Sequence, residues 1–187
     1  MLKITRFSCE NLINGCVTDE RRPRFSYTLS SDQVNSRLAS AVLSVNGWSV
    51  CTGQQTAIPY EGTLLKPFTT YTAELTVTDT EGEQATASVC FETGRMMAPW
   101  FAKWISDKQY SLREKRVSPL PMTFRRRFAN DQRLGSAKIY ATAIGIYELM
   151  LNGQKVGDQY FAPGFTSYKS HLQYQVYDVT AMLETDN

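Results

Sequence analysis

The sequence predicts an all-β chain: an immunoglobulin- or fibronectin type III-like sandwich followed by a second module that is again all-β. Three observations carry this. Apolar residues alternate with Thr, Ser and Glu in most windows, whereas the i, i+3, i+4, i+7 spacing of an amphipathic helix is nearly absent. Turn residues recur at short intervals between these alternating runs. Seven short runs of this kind fall within the first 94 residues, the density of an immunoglobulin-like sandwich.

The runs can be taken in order. Leu2–Phe7 opens the chain, and Arg24–Leu29 and Ala39–Val45 follow. Asn46-Gly47 favours the positive φ angles of a tight turn into Trp48–Val50. After a short run near Thr56–Ile58 comes the clearest strand, in which Tyr71, Ala73, Leu75 and Val77 fall on one face and Thr72, Glu74, Thr76 and Thr78 on the other. Asp79-Thr80-Glu81-Gly82 reads as a hairpin loop of about four residues into a second alternating run, Ala85–Thr93. Ahead of Tyr71, Leu65-Lys66-Pro67-Phe68-Thr69-Thr70-Tyr71 fits the pattern Leu-x-Pro-x-Thr-x-Tyr. This segment resembles the entry to strand F of fibronectin type III domains, where the Tyr hydroxyl returns to the preceding backbone. Two residues on, where antibody domains carry a cysteine, stands Ala73, so that inter-sheet disulfide is not expected.

The predicted division is 1–95 for the first domain, 96–121 for a linker and surface loop, and 122–187 for the partial second sandwich. Gly94-Arg95-Met96-Met97-Ala98-Pro99 breaks the alternation, and the polar stretch from Ser106 ends in Pro119-Leu120-Pro121. Met122–Phe128 reads as a strand with Arg126 on the face of Phe124 and Phe128, hence partly buried and paired with a carboxylate. Further strands are expected at Ala137–Ala143, Ile146–Leu151 and Leu172–Thr180, with Asn152-Gly153 as a second tight turn.

Composition excludes several function classes. With 20 Lys+Arg against 18 Asp+Glu, the chain has no basic footprint for nucleic acid, and the run Arg125-Arg126-Arg127 splits between two strand faces. No apolar run reaches the 18 residues of a membrane-spanning helix. One histidine, His171, leaves little material for a His-based metal site or catalytic triad, and Cys9, Cys16, Cys51 and Cys90 form no C-x-x-C spacing. Neither catalytic nor metal-ligating residues are expected. The N-terminus, Met1–Phe7, lacks the apolar core of a secretory signal, so a cytoplasmic location is expected, with a periplasmic or secreted origin as the alternative.

The second half carries a recognisable series: Gly145-Ile146-Tyr147 through Asn152-Gly153 to Val156-Gly157-Asp158, then Pro163-Gly164-Phe165-Thr166-Ser167-Tyr168, then Tyr174–Leu183. Together with Trp100–Ile105 and Phe124–Phe128, this series is similar to the N-terminal β-sandwich of bacterial α-L-rhamnosidases, glycoside hydrolase family 78, in which a fibronectin-like domain stands first. The resemblance implies an inverting parent hydrolase whose paired carboxyls lie in a later (α/α)-barrel, the natural partner of these domains. The chain itself is then a non-catalytic accessory region, or alternatively a module recognising rhamnose or a related sugar. For the latter the candidates are Asn152, Asp158, Tyr160 and Tyr168, an aromatic and amide-carboxylate set suited to C–H faces and hydroxyls. Asn152 and Asp158 have an equally good reading as turn residues, as does Asp178. No cofactor is expected, although the resemblance implies a calcium-assisted sugar site in some family members. The resemblance implies that the second module is an incomplete jelly-roll-type β-sandwich, with fewer strands than the eight of a full jelly roll, and leads to a further expectation: self-association through exposed strand edges, or local disorder after about residue 120.

Overall fold

A computed structural model describes residues 1–13, 15–107, 121–130 and 134–187. The chain divides into two compact units, Met1–Phe101 and Ala102–Asn187. Among the described residues every regular element is a strand, apart from one turn of 3-10 helix.

The first unit is a sandwich of eight strands. These are β1 (Leu2–Cys9), β2 (Cys16–Thr18), β3 (Arg24–Ser31), β4 (Leu38–Val45), β5 (Trp48–Thr52), β6 (Ile58–Pro59), β7 (Thr70–Asp79) and β8 (Gln84–Thr93). One sheet runs β1-β3-β6, the other β2-β8-β7-β4-β5. Period-2 alternation becomes the inner face: Ala73, Leu75 and Val77 of β7 and Val89 and Phe91 of β8 are buried, while Thr72 and Glu74 are exposed. The two inner faces meet through Phe25 of β3 and Phe91 of β8, whose ring centroids lie 5.7 Å apart, edge to face.

The predicted turns form for the predicted reasons. Asn46 (φ 49°) and Gly47 (φ 78°) join β4 to β5 with Val45 opposite Trp48. Asp79 organises the β7–β8 loop. Its Oδ1 accepts from the N–H groups of Glu81 (3.0 Å) and Glu83 (2.8 Å), and its Oδ2 from Ser36 Oγ (2.8 Å). Burial raises the Asp79 carboxyl, but these hydrogen bonds outweigh it and hold the group below its ordinary value. The tyrosine corner is also present. Tyr71 Oη accepts from the Lys66 N–H at 2.9 Å, and the ring, half-buried, stacks on Phe91.

Three features of this unit have no local signature. β2 pairs with β8 in parallel, Cys16 opposite Phe91. Glu10 and Arg24 form a fork, with Arg24 Nη2 donating to Oε2 at 2.8 Å and Nε to Oε1 at 3.2 Å. Thr93, fully buried, accepts from the Thr69 N–H and donates its hydroxyl to the Lys66 carbonyl, pinning the segment ahead of the corner.

The second unit has short ladders and a small core. β9 (Lys138–Ala141) pairs antiparallel with β12 (Gln175–Asp178), and β10 (Met150–Leu151) with β11 (Gln154–Lys155). A 3-10 turn, Thr180–Met182, follows β12. Leu151, Val156 and Val179 are the buried centre, flanked by Ile139, Leu149, Tyr177 and Leu183. Asp178 is a turn residue, its Oδ1 accepting from both the N–H (2.9 Å) and the hydroxyl (2.6 Å) of Thr180.

Three expectations are corrected here. Among the described residues Met122–Arg127 joins no sheet, and Phe124, Arg126 and Phe128 are all exposed. Arg126 has no carboxylate partner among the described residues, because no strand covers that face. Only the end of the segment joins a ladder: Phe128 and Asn187 exchange both backbone hydrogen bonds, and Ala129 bridges Asp186. The strands expected over Ile146–Leu151 and Leu172–Thr180 are confined to Met150–Leu151 and Gln175–Asp178, whose ladders with β11 and β9 are two and four residues long. Most of the surface loop expected over 106–121 lies outside the described residues.

Candidate functional site

The four candidate sugar-binding residues belong to the second unit and hang on the β10–β11 hairpin and the irregular segment after it. Asn152 (φ 51°) and Gly153 (φ 79°) make the hairpin turn, the backbone conformation that favours Asn-Gly. The Asn152 side chain is engaged: Nδ2 donates to the Met182 carbonyl at 2.9 Å and to Asn187 Oδ1 at 3.0 Å. It therefore ties the hairpin to the chain after the 3-10 turn.

Asp158 is exposed at the end of the hairpin. Gly157 before it has φ 75°, and a Cβ there would lie 2.5 Å from the Tyr177 ring. This close approach packs the loop onto β12, where Tyr177 Oη and Tyr147 Oη are 3.0 Å apart. Burial, then the hydrogen bond to Tyr177, pushes the Tyr147 phenol well above its ordinary value, so it stays protonated.

Tyr160 is 80% exposed, with Lys155 Nζ 4.1 Å from its ring centroid. Lys155 also lies 3.7 Å from Glu148 Oε2, so the cation sits between a carboxylate and an aromatic face. Tyr168 is half-buried, its hydroxyl accepting from the Gly145 N–H at 3.2 Å and its ring edge-on to Phe165 at 5.6 Å.

No hydrogen bond or ring contact joins any two of these four among the described residues. Asn152 and Tyr168 hold loops, while Tyr160 presents a face to solvent. Two further exposed aromatics follow it in the chain, Phe161 (75%) and Phe165 (90%), neither of them a candidate by sequence. Their signal was the clustering of three aromatics on one irregular segment between Tyr160 and Phe165, where no strand period demands apolar residues. Chemically the segment offers ring faces for C–H surfaces and one cation beside them. His171 is exposed, and its N–H donates to the Ser167 carbonyl. Among the described residues no three of His, Cys, Asp and Glu gather as metal ligands would.

Comparison with known proteins sets these units in context. Residues 4–97 match the family described as Rha78A-like, N-terminal immunoglobulin domain, and residues 132–187 match the alpha-L-rhamnosidase N-terminal domain. An alpha-L-rhamnosidase of Streptomyces avermitilis is 50% identical over 50 residues, 27% of this chain and 5% of that protein. One of Formosa agariphila is 28% identical over 160 residues, 75% of this chain and 17% of that protein. Among solved structures, the alpha-L-rhamnosidase from Dictyoglumus thermophilum matches with a TM-score of 0.83 and 26% identity, over 98% of this chain and 24% of that one. The enzyme from Aspergillus terreus matches the fold with a TM-score of 0.74 and 22% identity, over 100% of this chain and 23% of that one. The chain thus spans less than a quarter of the length of these relatives. It belongs to the α-L-rhamnosidase family, as that family's N-terminal immunoglobulin-like domain followed by part of its N-terminal domain.

Proposed function

We propose that this chain is the non-catalytic N-terminal accessory region of an α-L-rhamnosidase, and that the parent enzyme hydrolyses terminal α-L-rhamnosyl residues from glycosides or polysaccharides. One observation carries the reading: a solved α-L-rhamnosidase accounts for 98% of this chain with only 24% of its own length. Inverting glycoside hydrolysis requires two carboxyls about 6.5–9.5 Å apart across the scissile bond, one protonated as acid and one ionised as base. Among the described residues the carboxyls of Glu10, Asp79 and Asp178 are pulled down by structural hydrogen bonds. That suits turn and ion-pair duty, not a general acid. The accessory role follows: the units support or orient the (α/α)-barrel, which holds the acid pair.

The test is turnover of an aryl α-L-rhamnoside. The purified chain is expected to release no aryl alcohol above the buffer rate, while an enzyme joining these units to its barrel does. Hydrolysis by the isolated chain overturns the reading.

A second reading, sugar recognition by the accessory region, is favoured by the exposed Tyr160, Phe161 and Phe165. Calorimetry with L-rhamnose, with and without calcium, tests it. Heat that saturates and is lost in Tyr160→Ala supports recognition, and no heat at millimolar sugar removes it.

A further inference from the structure

Two of the four cysteines meet inside the first unit. Cys9 ends β1 in the three-stranded sheet and is fully buried, and Cys16 opens β2 in the five-stranded sheet at 8% exposure. After Cys9 the chain reverses. Glu10 (φ 48°) and Asn11 (φ 64°) both take positive φ, the Leu12 N–H donates to the Cys9 carbonyl at 2.8 Å, and the Cys9 N–H donates to the Leu12 carbonyl at 3.0 Å. That reversal carries the backbone from one sheet to the other within seven residues. The result is contact: the Cys16 thiol lies against the Cys9 backbone, its Sγ 3.9 Å from the Cys9 carbonyl oxygen that accepts from it. Both are thiols here.

We infer that Cys9 and Cys16 form an oxidisable pair that closes into a disulfide stapling the two sheets of the immunoglobulin-like unit. Antibody domains bridge their sheets by a disulfide reaching strand F, a position that Ala73 leaves without sulfur here. The Cys9–Cys16 pair supplies a bridge at the edge of the sandwich instead. The oxidant is a low-molecular-weight disulfide of the glutathione class. Cys16 reacts first because it is the more exposed, and because the neighbouring Cys9 draws its thiol below the ordinary value despite burial. Its thiolate attacks one sulfur of the reagent, the reagent's S–S bond breaks, and one small thiolate leaves. Cys9, whose thiol the neighbouring Cys16 and burial hold high, reacts second. It loses its proton as its sulfur attacks Cys16 Sγ, and the second small thiolate leaves. Two protein thiols are oxidised and one reagent disulfide is reduced to two thiols.

The experiment uses the folded chain, oxidised glutathione, and trypsin cleavage after alkylation. The tryptic peptide 7–21 holds both cysteines, and exposed Cys51 and Cys90 report whether the oxidant has acted. The expected result is a 7–21 peptide lighter by two hydrogens and free of alkyl label, whose halves stay joined after a second cleavage at Glu10. Closing so short a ring raises the midpoint of thermal unfolding on the order of 10 °C over the reduced chain, and Cys16→Ser abolishes that rise. If Cys51 and Cys90 are consumed while peptide 7–21 still takes two alkyl groups, the pair is not oxidisable in the fold. Closure only in urea, or an oxidised chain that melts no higher than the reduced one, equally overturns the staple.

Discussion

Tyr27 and Tyr60 are both buried to within 1% of complete, yet the same substitution, Tyr→Phe, is expected to act on them with opposite signs. Tyr60 Oη donates to the Thr63 carbonyl at 2.8 Å. Tyr27 Oη has no partner among the described residues, and burial alone raises its phenol above the ordinary value. An unpartnered buried hydroxyl costs about 1–3 kcal/mol in desolvation. Removing one oxygen leaves a void worth roughly 0.3 kcal/mol at the cavity rate observed for cores. Tyr27→Phe is therefore expected to stabilise the first unit by about 1 kcal/mol, a rise of roughly 4–8 °C in its unfolding midpoint. Tyr60→Phe strands the Thr63 carbonyl and is expected to destabilise by about 1 kcal/mol. Urea unfolding followed by circular dichroism reads both, with the midpoint moving and the slope unchanged. A Tyr27→Phe variant less stable than the parent by 1 kcal/mol would refute the reasoning, since the hydroxyl would then have a partner in solution.

Other outcomes follow from close contacts and charge. A Cβ at Gly62 would lie 2.5 Å from Tyr60 Oη and 2.7 Å from Trp48 Cβ, so Gly62→Ala is expected to cost about 2 kcal/mol by displacing the Trp48–Tyr60 pair, read as a lowered urea midpoint. Gly157→Ala combines a positive φ with collision against the Tyr177 ring, and is expected to loosen the Asp158–Tyr168 segment, seen as faster amide exchange there than at β7. The carboxyls of Glu10, Asp79 and Asp178 are all held below their ordinary values in the fold. A depressed carboxyl contributes stability that is present above its unfolded pKa and lost as pH falls through the folded one. The unfolding midpoint should therefore stay flat from neutral pH down to about 5 and drop below about 4. Asp79→Asn should flatten that drop, and an unchanged acid limb would show that the Asp79 turn does not titrate. If the aromatic segment binds sugar, Phe165→Ala, at 90% exposure, should abolish the calorimetric heat without shifting the unfolding midpoint.

Much of this protein is local. The β7–β8 hairpin follows from strict alternation on both sides of a four-residue loop, and Asp79 caps that loop because its short carboxylate reaches the N–H groups two and four residues on. Asn46-Gly47 and Asn152-Gly153 form their turns because both residues accept positive φ. Tyr71 reaches the Lys66 backbone because the corner places them five residues apart on a fixed bend. These are decisions a dozen residues make among themselves, and they are legible in the chain as written.

What stayed illegible depends on partners distant in sequence. β2 is three residues long, too short for a period, and exists only because the edge of β8, some seventy residues on, offers it a parallel ladder. That same pairing brings Cys16 against Cys9, so the thiol pair could not be seen in spacing alone. Alternation made Met122–Phe128 look like a strand, yet alternation is a property of one segment and a ladder needs two. Only Phe128 to Asn130 meets the chain at Thr185–Asn187, and Arg126 stays in solvent. Asn152, a sugar-binding candidate by residue type, is held instead by Met182 and Asn187. The amino-acid sequence determined the strands of the first unit other than β2, and the tight turns, because period and turn chemistry act over a few bonds, and its motif series carried the family. Tertiary structure alone decided which side chains are shared between strands and which remain available to a ligand, because that depends on what the rest of the chain places beside them.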